Sequence, residues 1–264
     1  MLMFVITISK SQTDSIIKKG NKRFIVSVAG GITMPFGVFA QYESENPTNI
    51  AGIAKRGFYY KFNFDYTFSK HGGITLVGYS SKNSTSLLTT AQLTQPFSGG
   101  LGGGSVPSSF NYTSNNWYTN AILVGLFGVK EEKYVTFNFR LSAGIQQVVS
   151  PESEEECTGY IWDGASRIHY PYDDKNFQPK LYSSNAVLNL GIDAVFTIYK
   201  GLKVKIGSEL FLSQAKFNGS QTITNDGMAE FTNTPYHTVV QQNISFTKNI
   251  YLFCFNGGIS YVIR

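Results

Sequence analysis

The sequence predicts an all-β chain, folded as an eight-stranded antiparallel up-and-down β-barrel that crosses a membrane with short turns at one end and long loops at the other. Three observations carry this. Long segments alternate between apolar and polar residues, and the connections between them alternate between short and long. Charged residues make up 15% of the 264 residues, aromatics 15%, and glycine numbers 26, against about 25% charged in an ordinary soluble domain. That composition suits a surface that does not face water everywhere.

The clearest segment is GFYYKFNFDYTFS, residues 57–69. Phe58, Tyr60, Phe62, Phe64, Tyr66 and Phe68 share one side of an extended strand, and Tyr59, Lys61, Asn63, Asp65, Thr67 and Ser69 the other, because strand side chains alternate with period two. The segment is longer than the about 9 to 11 residues a tilted strand needs to cross a bilayer.

In chain order, Met1–Ile8 is apolar and Ser9-Lys10-Ser11 forms a small-x-small site before Gln12, so 1–11 reads as a signal-peptide remnant without a basic start. Residues 12–22 form a polar periplasmic lead, and the barrel occupies 23–264. The first strand is RFIVSVAGGIT (23–33), ended by Met34-Pro35-Phe36-Gly37 because proline cannot donate to a ladder. A long connection leads to the 57–69 strand, and Lys70-His71-Gly72-Gly73 turns into a third strand, 74–83. Residues 84–115 read as a loop around SGGLGGGSVPSS. A glycine-rich phosphate cradle sits between a strand and a helix, and no helical periodicity follows.

Trp117–Val129 is the fourth strand, closed by the charged turn Lys130–Lys133. The fifth, 134–147, turns Val135, Phe137, Phe139, Leu141 and Ile145 outward and Thr136, Asn138, Arg140, Ser142 and Gln146 inward. A long loop at 149–183 holds seven of the 17 acidic residues. Asn185–Ile198 and 203–216 are the sixth and seventh strands, joined by a short turn. After a long segment, 218–249, Ile250–Ile263 closes the chain with Phe253 and Phe255 on its apolar side.

Short turns at one end and long connections at the other mark a transmembrane barrel. The longest apolar run in the body of the chain, AILVGLFGV (121–129), falls far short of the ~20 residues a membrane helix requires, so the chain spans only as a barrel. An eight-stranded barrel has room inside for little beyond its own side chains. The bulky faces, with Phe58, Tyr60, Phe62, Phe64, Tyr66, Phe68, Phe137, Phe139, Phe253 and Phe255, therefore point to lipid, and the polar faces form a polar plug.

The pieces MPFG (34–37), GIAKRG (52–57), SPE (150–152) and the closing GGISYVIR resemble the outer-membrane β-barrel domain proteins of Gram-negative bacteria, small eight-stranded barrels like OmpA and OmpX. The resemblance spans about 22–264. It implies a bacterial outer-membrane location, contact with outer-membrane lipid and lipopolysaccharide, and insertion by the barrel-assembly machinery. Members of that family typically end in an aromatic residue, whereas this chain ends Ile263-Arg264 with Tyr261 nearby.

Inside the barrel, Lys61, Asp65, Arg140, Asp193 and Glu209 fall in one layer. With a three-residue turn at 200–202, Asp193 sits directly opposite Glu209, a like-charge pair that needs a cation. Arg140 is expected between them, with Lys203, Lys205 or Lys61 completing the network.

Outside, Glu154, Glu155, Tyr160, Trp162, Tyr170 and Tyr172 make the 149–183 loop a candidate contact for a surface protein or glycan. The chain has three histidines, His71, His169 and His237. Rim catalysis requires His169 or His237 within hydrogen-bond reach of Asp163, Asp173 or Asp174, and no enzyme activity is expected. The acidic loop lacks the Asp-x-Asp-x-Asp-Gly calcium spacing, and Cys157 and Cys254 have no CxxC spacing. No metal or cofactor is expected, and a single Cys157–Cys254 bridge stays open. The net charge of +5 is scattered, without the basic, aromatic-interleaved run of a nucleic-acid binder.

The expected function is a plugged outer-membrane barrel with a structural or surface-contact role, including that of an accessory subunit of an envelope complex. The alternatives are a narrow solute channel, a rim or lipid-modifying enzyme, and a soluble lipid-binding barrel.

Overall fold

The computed structural model describes residues 23–40, 53–86, 104–162, 169–199, 201–228 and 234–263. Its strands are β1 (Arg23–Phe36), β2 (Ile53–Ser69), β3 (Gly72–Ser86), β4 (Gly104–Ser114), β5 (Trp117–Glu131), β6 (Thr136–Val149), β7 (Ser153–Trp162), β8 (His169–Gln178), β9 (Tyr182–Tyr199), β10 (Leu202–Met228) and β11 (Pro235–Ile263). A short 3-10 turn, Gly37–Ala40, follows β1. Among the described residues no helix is long and apolar enough to cross a membrane.

Eight strands close into a ring, β1-β2-β3-β5-β6-β9-β10-β11, with β11 pairing back to β1 and every pairing antiparallel. Closure satisfies the backbone polar groups within the sheet, the condition for a β structure to cross hydrocarbon. The expected strands at 23–33, 57–69, 74–83, 117–129, 185–198, 203–216 and 250–263 all lie within this ring, and the one expected at 134–147 starts two residues later, at Thr136.

The apolar faces look outward. Phe62 and Phe64 are 48% and 58% exposed, and Phe58, Tyr60, Phe68, Phe139 and Phe255 are exposed beside them. Tyr66, Phe137 and Phe253 are half-covered. Tyr66 packs on Phe24 across the β1–β2 ladder at 5.0 Å between ring centres, and Phe253 packs edge-on to Phe255 at 4.8 Å. In water this belt would be a very large apolar patch; in a bilayer it is the solvated face. Phe62→Arg puts a charge on the lipid side of mid-β2 and is expected to lower stability in vesicles by about 2–4 kcal/mol, measured by denaturant unfolding. An unchanged midpoint would show that this face does not meet hydrocarbon.

The segments expected to be loops differ from expectation. Residues 84–115 contain β4, 149–183 contain β7 and β8, and 218–249 are the outer ends of β10 and β11. β7 pairs with β4 on one side and β8 on the other, and β8 pairs with the outer part of β10 through Tyr172–Phe177 and Thr222–Gly227. β4, β7, β8 and the outer ends of β10 and β11 thus form a five-stranded sheet above the ring. Along β7 and β8 exposed and half-buried residues follow no period-two apolar pattern, so the ladder left no trace in residue type.

Candidate functional site

The lumen has two storeys. Towards the long connections aromatic and aliphatic side chains dominate it, with Asn83, Gln146 and Lys248 buried among them. Trp117 lies edge-on to Phe39 of the 3-10 turn (5.3 Å) and Phe217 (5.8 Å), Phe217 stacks on Phe246 (5.0 Å), and Tyr79 packs on Phe211 (4.2 Å). Leu123, Ile250, Leu252 and Cys254 complete this fully buried cluster. The expectation of a polar plug is thus corrected for half the barrel. Both sides of a strand such as AILVGLFGV are apolar, so its inward face brings Ala121 and Leu123 to the interior as its outward face brings Ile122 and Val124 to lipid.

Towards the short turns the lumen is charged. Lys61 is 0% exposed and pairs with Glu209 and, at 3.8 Å, with Asp193. The Arg140 guanidinium spans the same two carboxylates, donating from Nη1 to Glu209 Oε1 at 3.1 Å and from Nη2 to Asp193 Oδ2 at 3.3 Å. With the Asn63 amide turned so that its oxygen faces the cations, that oxygen accepts from Arg140 Nη2 at 3.0 Å and Lys205 Nζ at 3.2 Å. Buried charges are tolerable only when paired and hydrogen-bonded, and here two cations and two carboxylates form a closed ring.

Three expectations about this layer are corrected. Asp193 lies opposite Gly207, and Glu209 opposite Gly191, so the carboxylates are staggered rather than abreast. The β9–β10 turn holds fewer residues than expected, and a register shift occurs between Leu202 and Lys203. Asp65 accepts from the Thr75 hydroxyl and makes no ion pair among the described residues. Lys203 is half-exposed near the turn and does not join the ring.

The staggering depends on two glycines whose α-carbons face the lumen. A Cβ on Gly207 would stand 2.0 Å from Asp193 Oδ1, and one on Gly191 would stand 3.3 Å from Glu209 Oε1 and 3.5 Å from Arg140 Nη1. The Asp193 carboxylate occupies the space of the side chain that Gly207 lacks, and a side chain on Gly191 would press on Glu209.

Beneath the ring a cavity of about 240 Å3 opens between the short turns. Arg140, Asp193 and Lys205 line its deep end, with Ser27 and Ser260 on its walls and Arg23, Lys70, Glu131 and Lys203 nearer the mouth.

In the outer sheet, Glu154 and Tyr160 are exposed, whereas Glu155 is half-buried. The side chains of Trp162 and Tyr170 lie outside the described residues. Tyr172 contacts Cys157 Sγ at 3.7 Å, and its hydroxyl pKa is raised, first by burial and then by that contact. Cys157 and Cys254 are both free, one in this sheet and the other inside the barrel. Lys175 bridges Glu156 (3.0 Å) and Asp173 (3.4 Å).

His237 pairs with Asp226, directly across the β10–β11 ladder, and not with Asp173 or Asp174, the partners that rim catalysis was said to require. Asp163 and the His169 side chain lie outside the described residues. Hairpin register, not sequence distance, chose the partner. Among the described residues, no group of three or more His, Cys, Asp or Glu is placed to hold a metal.

Burial pushes the Glu155 carboxyl up to about 7. A carboxyl raised in the folded state stabilises in its protonated form. Its contribution is complete below the ordinary carboxylate range and is lost as pH rises through about 7. Exchange protection of β7–β8 amides, corrected for intrinsic rates, is expected to be greater at pH 5 than at pH 8 in the wild type. In Glu155→Gln it should vary less with pH, and an identical profile would count against the burial.

No known protein family matches the chain, and no curated protein does. Among solved structures, a major outer membrane protein from Thermus thermophilus aligns over 92% of this chain and 99% of its own at 8% identity, TM-score 0.38. Ail, the attachment invasion locus protein of Yersinia pestis, aligns over 93% and 99% at 10% identity, TM-score 0.34. The outer membrane protease OmpT of Escherichia coli aligns over 96% and 100% at 10% identity, TM-score 0.31. These scores all lie below 0.4, and the assignment rests on the chain's own closure and exposure. An eight-stranded antiparallel ring, greasy outside and filled within, is a β-barrel of the outer-membrane type.

Proposed function

We propose that the protein is a plugged anchor in the bacterial outer membrane that holds its outer sheet away from the lipid as a contact surface for a surface protein or glycan. One observation carries this reading: the outer segments pair into a five-stranded sheet continuous with the barrel wall through β10 and β11. A sheet built on barrel strands presents Glu154, Glu156, Tyr160, Lys175 and Asp226 in a fixed array, which lowers the ordering cost of binding. The filled lumen speaks against a solute path, since aromatic side chains close one storey and an ion-paired ring the other.

Ser150 and Leu181 exchange hydrogen bonds, with Ser150 N donating to Leu181 O at 2.8 Å and Leu181 N to Ser150 Oγ at 2.9 Å. Residues 153–178 can therefore be replaced by a two-residue Asn-Gly turn without reaching the ring. The shortened protein is expected to fold and melt like the wild type in detergent. Proteoliposomes carrying it should lose the adhesion that wild-type proteoliposomes show on a panel of surface proteins and glycans. Equal adhesion of both forms, or none by the wild type, would sink the proposal.

A second reading, catalysis at the rim, is favoured by the Asp226–His237 pair, since a carboxylate that orients an imidazole makes it a better base. Both groups are largely exposed, as a solvated surface pair would be.

A further inference from the structure

The cavity below the charged ring has no part in the contact role just proposed, and its chemistry is specific. Lys205 is 3% exposed, lines the deep end and has the Asn63 amide oxygen as its partner. Among the described residues no carboxylate stands within ion-pair distance of it, because Asp193 and Glu209 are held by Lys61 and Arg140, and Asp65 accepts from Thr75. Arg140 Nε, also buried, has no hydrogen-bond partner. Asp193 and Asp65 act on it only from beyond ion-pair distance, a buried ammonium so weakly countered is costly, and an anion entering the cavity would give it a direct partner.

The balance of the lining has the same sign. Arg23, Lys70, Arg140, Lys203 and Lys205 face the cavity together with Asp65, Glu131 and Asp193; five cations against three carboxylates leave a net charge of +2. The buried Ser27 and Ser260 add hydroxyls on the walls. A volume of about 240 Å3 is that of roughly eight liquid waters, enough for a small tetrahedral ion with part of its hydration. Walls of low dielectric around like charges focus the field into the cleft and raise the local concentration of the opposite sign.

We propose that this vestibule binds a small dianionic oxyanion, inorganic phosphate or a phosphate monoester, entering from the short-turn side, with Lys205 as the principal contact and Arg140 Nε and the Ser27 and Ser260 hydroxyls as further donors. The ion completes the electrostatics of the lower storey and does not pass, because the ring and the aromatic storey close the way above it.

The test is calorimetric titration of the full chain with inorganic phosphate at low ionic strength, in micelles of an uncharged maltoside detergent, alongside phosphorus-31 line broadening. The wild type is expected to bind one phosphate. Lys205→Gln, checked for folding by the gel-mobility difference between heated and unheated samples, should weaken binding roughly ten- to hundredfold, the loss of one hydrogen bond from a charged donor. Lys205→Arg should retain most of it, and Lys70→Gln at the mouth should change it only a few-fold.

If Lys205→Gln does not fold, Ser260→Leu fills the cavity while leaving every cation in place, and must abolish binding. A parallel titration with a short-chain phosphatidic acid separates the sources. Free phosphate bound alone, or competing with the lipid, supports a soluble ligand, and lipid bound with no free phosphate overturns it. No phosphate binding by the wild type, or equal binding by wild type and Lys205→Gln, also overturns the proposal.

Discussion

Arg140→Leu is expected to lower stability by about 3–5 kcal/mol, the usual cost of removing one partner from a buried ionic cluster. For a chain of this length that is a fall in melting temperature on the order of 10 °C. The guanidinium reaches Glu209 at 3.1 Å and Asp193 at 3.3 Å while 5% exposed. Leucine fills much of the space but leaves Lys61 alone between two buried carboxylates. Arg140→Lys keeps the charge and loses the fork that spans the two acids, so a smaller fall is expected. The double change Arg140→Leu, Asp193→Asn, which leaves Lys61 paired with Glu209 alone, should recover part of the loss, because uncompensated charge, not missing volume, carries most of the cost. Differential scanning calorimetry in detergent measures all three variants. A melting temperature unmoved by Arg140→Leu would mean that water reaches these carboxylates.

Trp117→Ala is expected to cost a similar amount, about 3–5 kcal/mol, for a different reason. The indole is 0% exposed and lies between Phe39 and Phe217, so its removal opens a cavity in the closed storey and takes from the 3-10 turn the ring it packs on. Two readouts separate this from the Arg140 effect. Amide exchange at Phe39 should accelerate more than in the ring strands, and Trp117→Phe should restore over half the stability. A variant as stable as the wild type, with Phe39 exchange unchanged, would show that the aromatic storey does not pack as a unit.

Much of the barrel was legible in residue order. Alternation along 57–69 and 134–147 determined which side chains meet lipid, because a strand offers only two faces and five or six bulky groups per face do not fit inside eight strands. Counting from the short turns also brought Lys61, Arg140, Asp193 and Glu209 to one depth. Their partners were not legible. A shift of one or two residues in hairpin register changes which side chains stand abreast, and a two-sidedly apolar strand such as 121–129 does not show that its inner face joins an aromatic storey.

Amino-acid order by itself determined the class of fold, the lipid-facing surface and the charges that had to find one another inside, since those follow from periodicity and volume along a single strand. The tertiary structure decided the rest: Gly207 opposite Asp193, Lys205 turned into a vestibule with no carboxylate within ion-pair distance, Asp226 rather than Asp173 on His237, and three of the long connections drawn into one sheet. Each is a relation between strands, set by ring closure and ladder register, and none is written in the residues of any one segment.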